Sequence, residues 1–435
     1  MAARSRHRVH DPGWPGLDRP RGRPLIARKT AALTDITPKS PADLLASMTE
    51  QFPGAKDVIY LDTAARGLLP VAAKMVVEQH LEDRLLGRAD KVSMFAAVEE
   101  ARGRFADLIN ADTDDIAITK NISEGLNIIA TALPWEAGDN VVLCLDLEHP
   151  NNVYPWLNLR DRVGIEIKSV PGLDGHIPAS ALIDAIDVRT RAVSLSTVSF
   201  SPGFRTDVEP IGKACRERGV FLLADGAQSV GILHTDVEQL GLDGLAVSTQ
   251  KGLLSLYGLG FLYCRRSWAE RLRPASLARF GVDLGGVHEA AKGGDSYNLM
   301  AGARRFDLGN YNYPAAMACA KSLDIIAAVG TKAIEAHVTG LAHGFAQGLL
   351  DLGLSVAGGV PGPHIGGIVS VGEFGSGGHD TTDDPRMDSL YKHLTENGVR
   401  LSVRQGMLRM AFHLYNTEDD MRRVLELADQ WAKTA

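Results

Sequence analysis

Residues 247–264, VSTQKGLLSLYGLGFLYC, place a single lysine between two short runs that read as strands. Most lysines stay in water on loops. Lys251 stands out from them. GLAVST before it and LGFLYC after it are apolar and β-prone, and Gly252, Gly258 and Gly260 allow tight turns between the two. A lysine at the end of a buried strand loses water, which lowers the ammonium pKa and frees the amine as a base or nucleophile. A Schiff-base lysine needs that property.

Composition sets the frame. The 435 residues are 45% hydrophobic and 23% charged, enough for one large domain and a smaller one, and no membrane span is visible. The first 30 residues hold eight Arg/Lys against two Asp, so the remainder is more acidic than the net charge of −7 suggests, which argues against a nucleic-acid binder. Cys144, Cys215, Cys264 and Cys319 lie far apart in apolar surroundings and have no CxxC spacing. They read as buried free thiols in a reducing, cytoplasmic setting, with neither a disulfide frame nor a metal site. Residues 1–47 begin with an Arg-, Pro- and Gly-rich arm without periodicity, expected to be disordered, and translation from Met48 is an alternative start.

Beyond residue 58 helical and strand patterns alternate. PVAAKMVVEQHLEDRLLG and SMFAAVEEARGRFADLIN have helical spacing; NVVLCLDLEH, GIEIKSVPG, RAVSLSTVSF, VFLLADGAQ, GLAVSTQ and LGFLYC read as short buried strands. This predicts an α/β fold with a mostly parallel sheet over 48–310. From 311 onward two long helices, GGIVSVGEF, a helix at 385–397, LRMAFHLYN and a last helix from Thr417 predict a smaller C-terminal α+β domain, 311–435.

Two further stretches bear on Lys251. LLADGAQSVG ends a buried strand with Asp225, followed by Gln228. Ligands of open parallel sheets bind at the carboxyl ends of strands, so Asp225 and Lys251 can face one crevice; alone, Asp225 reads equally as a turn residue. ITKNISEGLNIIA runs from a strand through a polar turn into a helix, where Ser123 and free N–H groups suit a phosphate, or Ser123 serves as a plain helix cap. A lysine, a carboxylate and a helix N-terminus together describe a pyridoxal 5′-phosphate pocket.

With TKNISEGLN, LEHPNNVYPW, ADGAQSVG, STQKGLLSLYGLGFLY, RFDLGNYNYP and LRMAFHLYNTEDD in this order, residues 55–432 resemble the class V aminotransferase group of fold-type I pyridoxal-phosphate enzymes. That group includes cysteine desulfurases, isopenicillin-N-epimerase-like proteins and carbon–sulfur lyases. The resemblance implies that Lys251 binds the cofactor and moves the α-proton, Asp225 pairs with the pyridine nitrogen, Gln228 meets the phenolic oxygen and His149 stacks on the ring. It also implies that Ser123, Ser248 and Gln250 hold the phosphate, that Asn310 reaches it from the other subunit of a homodimer, and that Arg409 clamps the carboxylate of an amino-acid substrate.

Departures from the family pattern bear on the reaction. No cysteine follows Cys319, where desulfurases carry the mobile-loop cysteine that takes sulfur as a persulfide. Gln250 stands where desulfurases usually have histidine, and Phe200 stands near a position that is often asparagine. Gln250 and Phe200 point toward the epimerase-like and lyase-like branch; transamination of an α-amino acid is the leading expectation, with β-elimination by a carbon–sulfur lyase next and epimerisation as a further alternative. A regulator would need an output domain for which residues 1–57 show no two-helix pattern, and a dehydrogenase would need a GxGxxG after the first strand.

Overall fold

In the computed structural model, residues 40–285, 296–375, 377 and 380–434 are described. The central sheet has seven strands: β1 (Ile116–Thr119), β2 (Asn140–Leu143), β3 (Glu166–Ser169), β4 (Thr190–Ser196), β5 (Phe221–Asp225), β6 (Gly244–Ser248) and β7 (Gly260–Cys264). Their order is β1-β7-β6-β5-β4-β2-β3. Pairing is parallel from β3 through β6, while β7 runs antiparallel to both β6 and β1.

The near-continuous apolar runs follow from burial on both faces. Ile116, Val142, Leu195, Leu222, Leu245 and Phe261 point into one hydrophobic cluster. Their neighbours Ala117, Val141, Ala192, Phe221, Ala246 and Leu262 point into a second. One expected buried strand differs: β3 pairs only with β2 at the sheet edge, and Glu166 and Ser169 are exposed. An edge strand leaves room for charged side chains that a central strand cannot hold.

The C-terminal part contributes β8 (Ile368–Val371), β9 (Ser402–Arg404) and β10 (Met407–Ala411), an antiparallel sheet of order β8-β10-β9. Helices Tyr313–Val329 and Thr331–Asp351 meet at Gly330, bent by 78°, and both bury apolar residues. No single described helix is long and apolar enough to cross a membrane. Residues 1–39 of the basic arm lie outside the described residues. Pro41–Ser47, in the stretch expected to lack structure, is instead a helix: Ser40 and Asp43 form a reciprocal capping box, and Leu44 and Leu45 pack on the core.

A buried ion pair joins the helical layer to the sheet. Arg102, fully buried on helix Lys91–Leu108, donates to Asp307 at 2.7 Å and to the Ile116 carbonyl at 2.6 Å. Asp307 also accepts from the Ile118 N–H and the Tyr311 hydroxyl, each at 2.8 Å. Arg102 Nε and Nη2 also donate to Glu99 at 3.2 Å, so all three guanidinium nitrogens and both Asp307 oxygens are engaged, the condition for tolerating charge in a core. Asp307→Ala is expected to lower the unfolding free energy by about 3–5 kcal/mol in urea titration. Lys74→Ala, which breaks an exposed Lys74–Glu78 pair, should change it by about 0.5 kcal/mol or less. Similar losses in the two variants would contradict a structural role for the buried pair.

Candidate active site

Lys251 sits just beyond β6, in a turn whose backbone is packed against three other segments. A Cβ on Gly252 would lie 2.3 Å from the Val230 carbonyl oxygen, one on Gly231 2.2 Å from the Gly252 oxygen, and one on Gly67 2.4 Å from the Lys251 oxygen. Glycine is required at these approaches, and Gly231 also has φ +91°. Hydrogen bonds close the turn further: Gly67 N–H donates to the Gln250 carbonyl at 2.8 Å, and His413 Nε2 meets the Gly252 carbonyl at 3.0 Å. The Leu414 N–H donates to His413 Nδ1, so the Nε2–H tautomer is the one that fits, and burial pushes this imidazole down to about 4.

The amine itself is desolvated. Burial pushes the Lys251 pKa down to about 8; Asp225 opposes the shift, and Arg409 and Arg404 reinforce it. Asp225, at the carboxyl end of β5, is 5% exposed, and its burial raises the carboxyl pKa. The Ala227 N–H donates to Asp225 Oδ1 at 2.9 Å. His149 begins the turn after β2; the Asn151 N–H donates to its Nδ1 at 3.1 Å, and its ring meets Phe200 edge-on with centroids 5.1 Å apart. Burial, with Lys251, Arg409 and Arg404 adding to it, pushes His149 to about 4, so its ring is flat and uncharged at neutral pH. Gln228 donates Nε2 to the Ala64 carbonyl at 3.1 Å, which leaves Oε1 buried without a partner among the described residues.

The helix Ile122–Ala132 points its N-terminus at the end of β6. Ile122 N–H donates to Ser248 Oγ at 2.8 Å, and Asn121 caps the Glu124 N–H at 3.0 Å. Asn121, and not Ser123, is therefore the cap, which leaves Ser123 in the first turn among N–H groups suited to an anion. Thr119 Oγ1, buried at the same corner, has no partner among the described residues. Gln250 follows Ser248 and Thr249 into the turn. Asn310 is not brought to Lys251 within one chain: it is exposed, has φ +44°, and lines a cavity of about 520 Å³ with Thr119, Lys120 and Glu124.

Arg409 reaches the site from the small sheet. It is 3% exposed, donating Nε to Ser402 Oγ at 3.2 Å and Nη1 to the Phe200 carbonyl at 2.7 Å. Neither bond uses Nη2. Burial and the neighbouring Arg404 lower its pKa to about 10, which leaves it charged at neutral pH.

Three residues near these groups were not singled out from the sequence. Arg404, paired with Asp380 at 2.5 Å, acts electrostatically on Lys251, His149 and Arg409. Among the described residues Asp62 Oδ1 is buried without a partner, and burial raises the Asp62 pKa while Ser402 and nearby arginines oppose the rise. Glu148, 4% exposed, accepts from the Ser196 N–H at 2.7 Å and contacts the Ser196 hydroxyl at 2.6 Å and Asn152 Nδ2 at 2.8 Å. Burial pushes Glu148 up to about 7, Asp225 adds to the rise, and the hydrogen bonds oppose it. Its position directly before His149, at the exit of an apolar strand, was the available signal.

The donor set fits pyridoxal phosphate at both ends. The Gln228 Oε1 acceptor suits a ligand hydroxyl, and the Thr119 and Ser123 hydroxyls lie at a helix N-terminus that suits an anion. Asp225 and Lys251, close enough for each to shift the other, lie between.

Comparison with known proteins agrees. A probable cysteine desulfurase from Methanothermobacter thermautotrophicus is 29% identical over 403 residues, covering 87% of this chain and 96% of that protein. The cysteine desulfurase of Thermococcus onnurineus superposes with a TM-score of 0.76 at 24% identity, over 91% of this chain and 99% of that one. A cystine C–S lyase in complex with cysteine persulfide gives 0.76 at 24% identity, over 87% and 99%. These two structures share the fold. Residues 59–424 match the class V aminotransferase family, whose cofactor is pyridoxal phosphate, and the chain belongs to that family.

Proposed function

We propose that the chain is a carbon–sulfur lyase that removes the sulfur substituent of a cysteine-type α-amino acid by β-elimination. The observation carrying this reading is the state of the four cysteines: all are buried. Burial pushes Cys144 up to about 11 and Cys215 up to about 12, and raises Cys264 and Cys319 as well. A thiol held neutral in the core cannot take sulfur from a substrate as a persulfide. Sulfur then leaves in solution: RS–CH2–CH(NH3+)–COO− and water give RSH, pyruvate and ammonium. The family name favours transamination, ranked first on the sequence; the relatives named as cysteine desulfurases favour chemistry at a C–S bond.

Lys251 would hold the cofactor, Asp225 its ring nitrogen, His149 its ring face and Gln228 its phenolic oxygen. Ser123, Ser248 and Gln250 would hold its phosphate together with the partner subunit's Asn310, in a homodimer. When bound, pyridoxal phosphate supplies a sink for the electron pair left on Cα. The chain does the rest. Arg409 binds the substrate carboxylate through its fork, which orients the Cα–H bond. Lys251, its pKa lowered towards neutrality, takes the α-proton. His149, neutral across this range, covers the ring without adding a charge.

Glu148 serves this arrangement by holding its proton below about pH 7. Ser196, which it contacts, pairs directly with Asp225 across β4 and β5. Two buried carboxylates this near cannot both ionise cheaply. A proton on Glu148 leaves the negative charge to Asp225, where a ring N–H needs it.

With S-substituted cysteines and no keto-acid acceptor, the enzyme should release pyruvate, ammonia and thiol in equal amounts over many turnovers. A single stoichiometric turnover yielding the substrate's own keto acid would mean transamination. Lys251→Ala should lower turnover by about 10²–10⁴-fold or more; unchanged turnover would remove Lys251 from the chemistry. Because folding raises the Glu148 pKa, its contribution to stability is complete below the ordinary carboxyl range and is lost as pH rises through about 7. Glu148→Gln should therefore flatten the fall in urea midpoint between pH 5 and 8. Parallel curves would show that Glu148 is ionised throughout.

A further inference from the structure

The small sheet carries Arg409 on the face turned towards the large domain. Cross-strand pairing puts Ser370, Arg409 and Ser402 side by side, with Met407 and Arg404 as the next pair on that face. Two contacts fix it against the turn after β4: Arg409 on the Phe200 carbonyl, and Ser370 Oγ on the Pro202 carbonyl at 2.8 Å. Directly beyond Arg409, Met407 borders a cavity of about 790 Å³, walled also by Leu147, Pro202, Phe204, Phe374 and Gln405. Its walls adjoin the site along the chain: Leu147 lies two residues before His149, Pro202 two after Phe200, and Met407 shares a strand face with Arg409.

The cavity is far larger than a cysteine thiol needs and of a size that holds a drug-sized group. Close packing maintains it. A Cβ on Gly172 would lie 2.9 Å from Leu147, one on Gly175 2.9 Å from Pro202, and one on Gly358 2.8 Å from Phe204. Side chains at these glycines would push the walls inward. Gln405 Oε1 is buried there without a partner among the described residues, an acceptor suited to a ligand donor. Among the described residues Asp146, Asp174 and Glu373 border the cavity and no lysine or arginine does, so its charge disfavours an anionic group.

We propose that this cavity receives the sulfur substituent of the substrate, so that the enzyme selects cysteine conjugates with a bulky, uncharged or cationic substituent over cysteine and over conjugates ending in a carboxylate. This rests on the β-elimination reading above. Arg409 fixes the α-carboxylate, and the side chain extends along the same sheet face past Met407. Phe374, 58% exposed, forms the outer wall.

The test compares S-benzyl-, S-methyl- and S-(2-carboxyethyl)-L-cysteine on the cofactor-loaded enzyme. The expected kcat/KM for the benzyl conjugate is about tenfold or more above that for the methyl conjugate, with the carboxyethyl conjugate no better than methyl. Phe374→Ala should lower the benzyl value alone. Equal values for all three, or an equal drop for all three in the variant, would overturn the pocket. If none is cleaved, the elimination reading fails, and calorimetric binding of 2-amino-5-phenylpentanoate, norvaline and 2-aminopimelate decides the pocket separately. Tighter binding of the phenyl compound than of the other two keeps it; equal binding rejects it.

Discussion

The chain around Lys251 approaches residues 67, 230–231 and 413 at backbone distance, and this close packing sets the lysine's chemistry. Lys251 is flanked by peptide groups that satisfy one another. Desolvation then lowers the ammonium pKa, with Asp225 opposing the shift and Arg409 and Arg404 reinforcing it. The glycines are consequently part of the amine's environment, because any Cβ at 67, 231 or 252 would move the turn and readmit water. His413 contributes in the same way from the other side. It is neutral, stacked on Tyr415 at 5.5 Å, and donates to the turn without bringing charge.

The charges around that turn are arranged by distance and burial. Besides burial, Arg409 and Arg404 lower the proton affinity of Lys251, and Arg404 lowers that of Arg409, while Asp225 and Asp62 offset part of the effect on Lys251. Burial, reinforced by these cations, keeps His149 neutral, and the surplus of positive charge suits a site that binds a carboxylate and a phosphate. Glu148 adds a carboxyl without adding its charge below about pH 7. A glutamine would offer similar hydrogen bonds, but the carboxyl can take up or give a proton if the charge on Asp225 changes.

The strands, the order of the motifs and the residues proposed for the candidate site were readable in the sequence because their signals are local. A buried strand ending in Asp225 or in the Lys251 turn announces itself within ten residues, as does the apolar frame around Arg409. The clamp on Lys251 was not legible: His413 lies 161 residues from the Gly252 carbonyl it meets. Glu148 was missed for the same reason, its partner Ser196 being 48 residues on. Ser123 was read as either cap or phosphate ligand, and the choice depended on the backbone turn, which gave the capping role to Asn121. The helix at Pro41–Ser47 was hidden by the composition of the arm preceding it, although SPAD carries a serine, a proline and an aspartate at capping spacing.

Strand register links recognition of the substrate backbone to that of its side chain. Because strand side chains alternate, residues two apart share a face; with Arg409 set against the Phe200 carbonyl, Met407 must face the large domain as well. A one-residue slip of β10 would turn both away together and bring Leu408 and Met410 to the site instead. The hydrogen bonds from Arg409 and Ser370 to the 200–202 turn oppose such a slip, since each would leave a buried polar group unpaired. The position of the carboxylate-binding arginine and the wall of the neighbouring cavity are thus set by the same ladder of backbone hydrogen bonds.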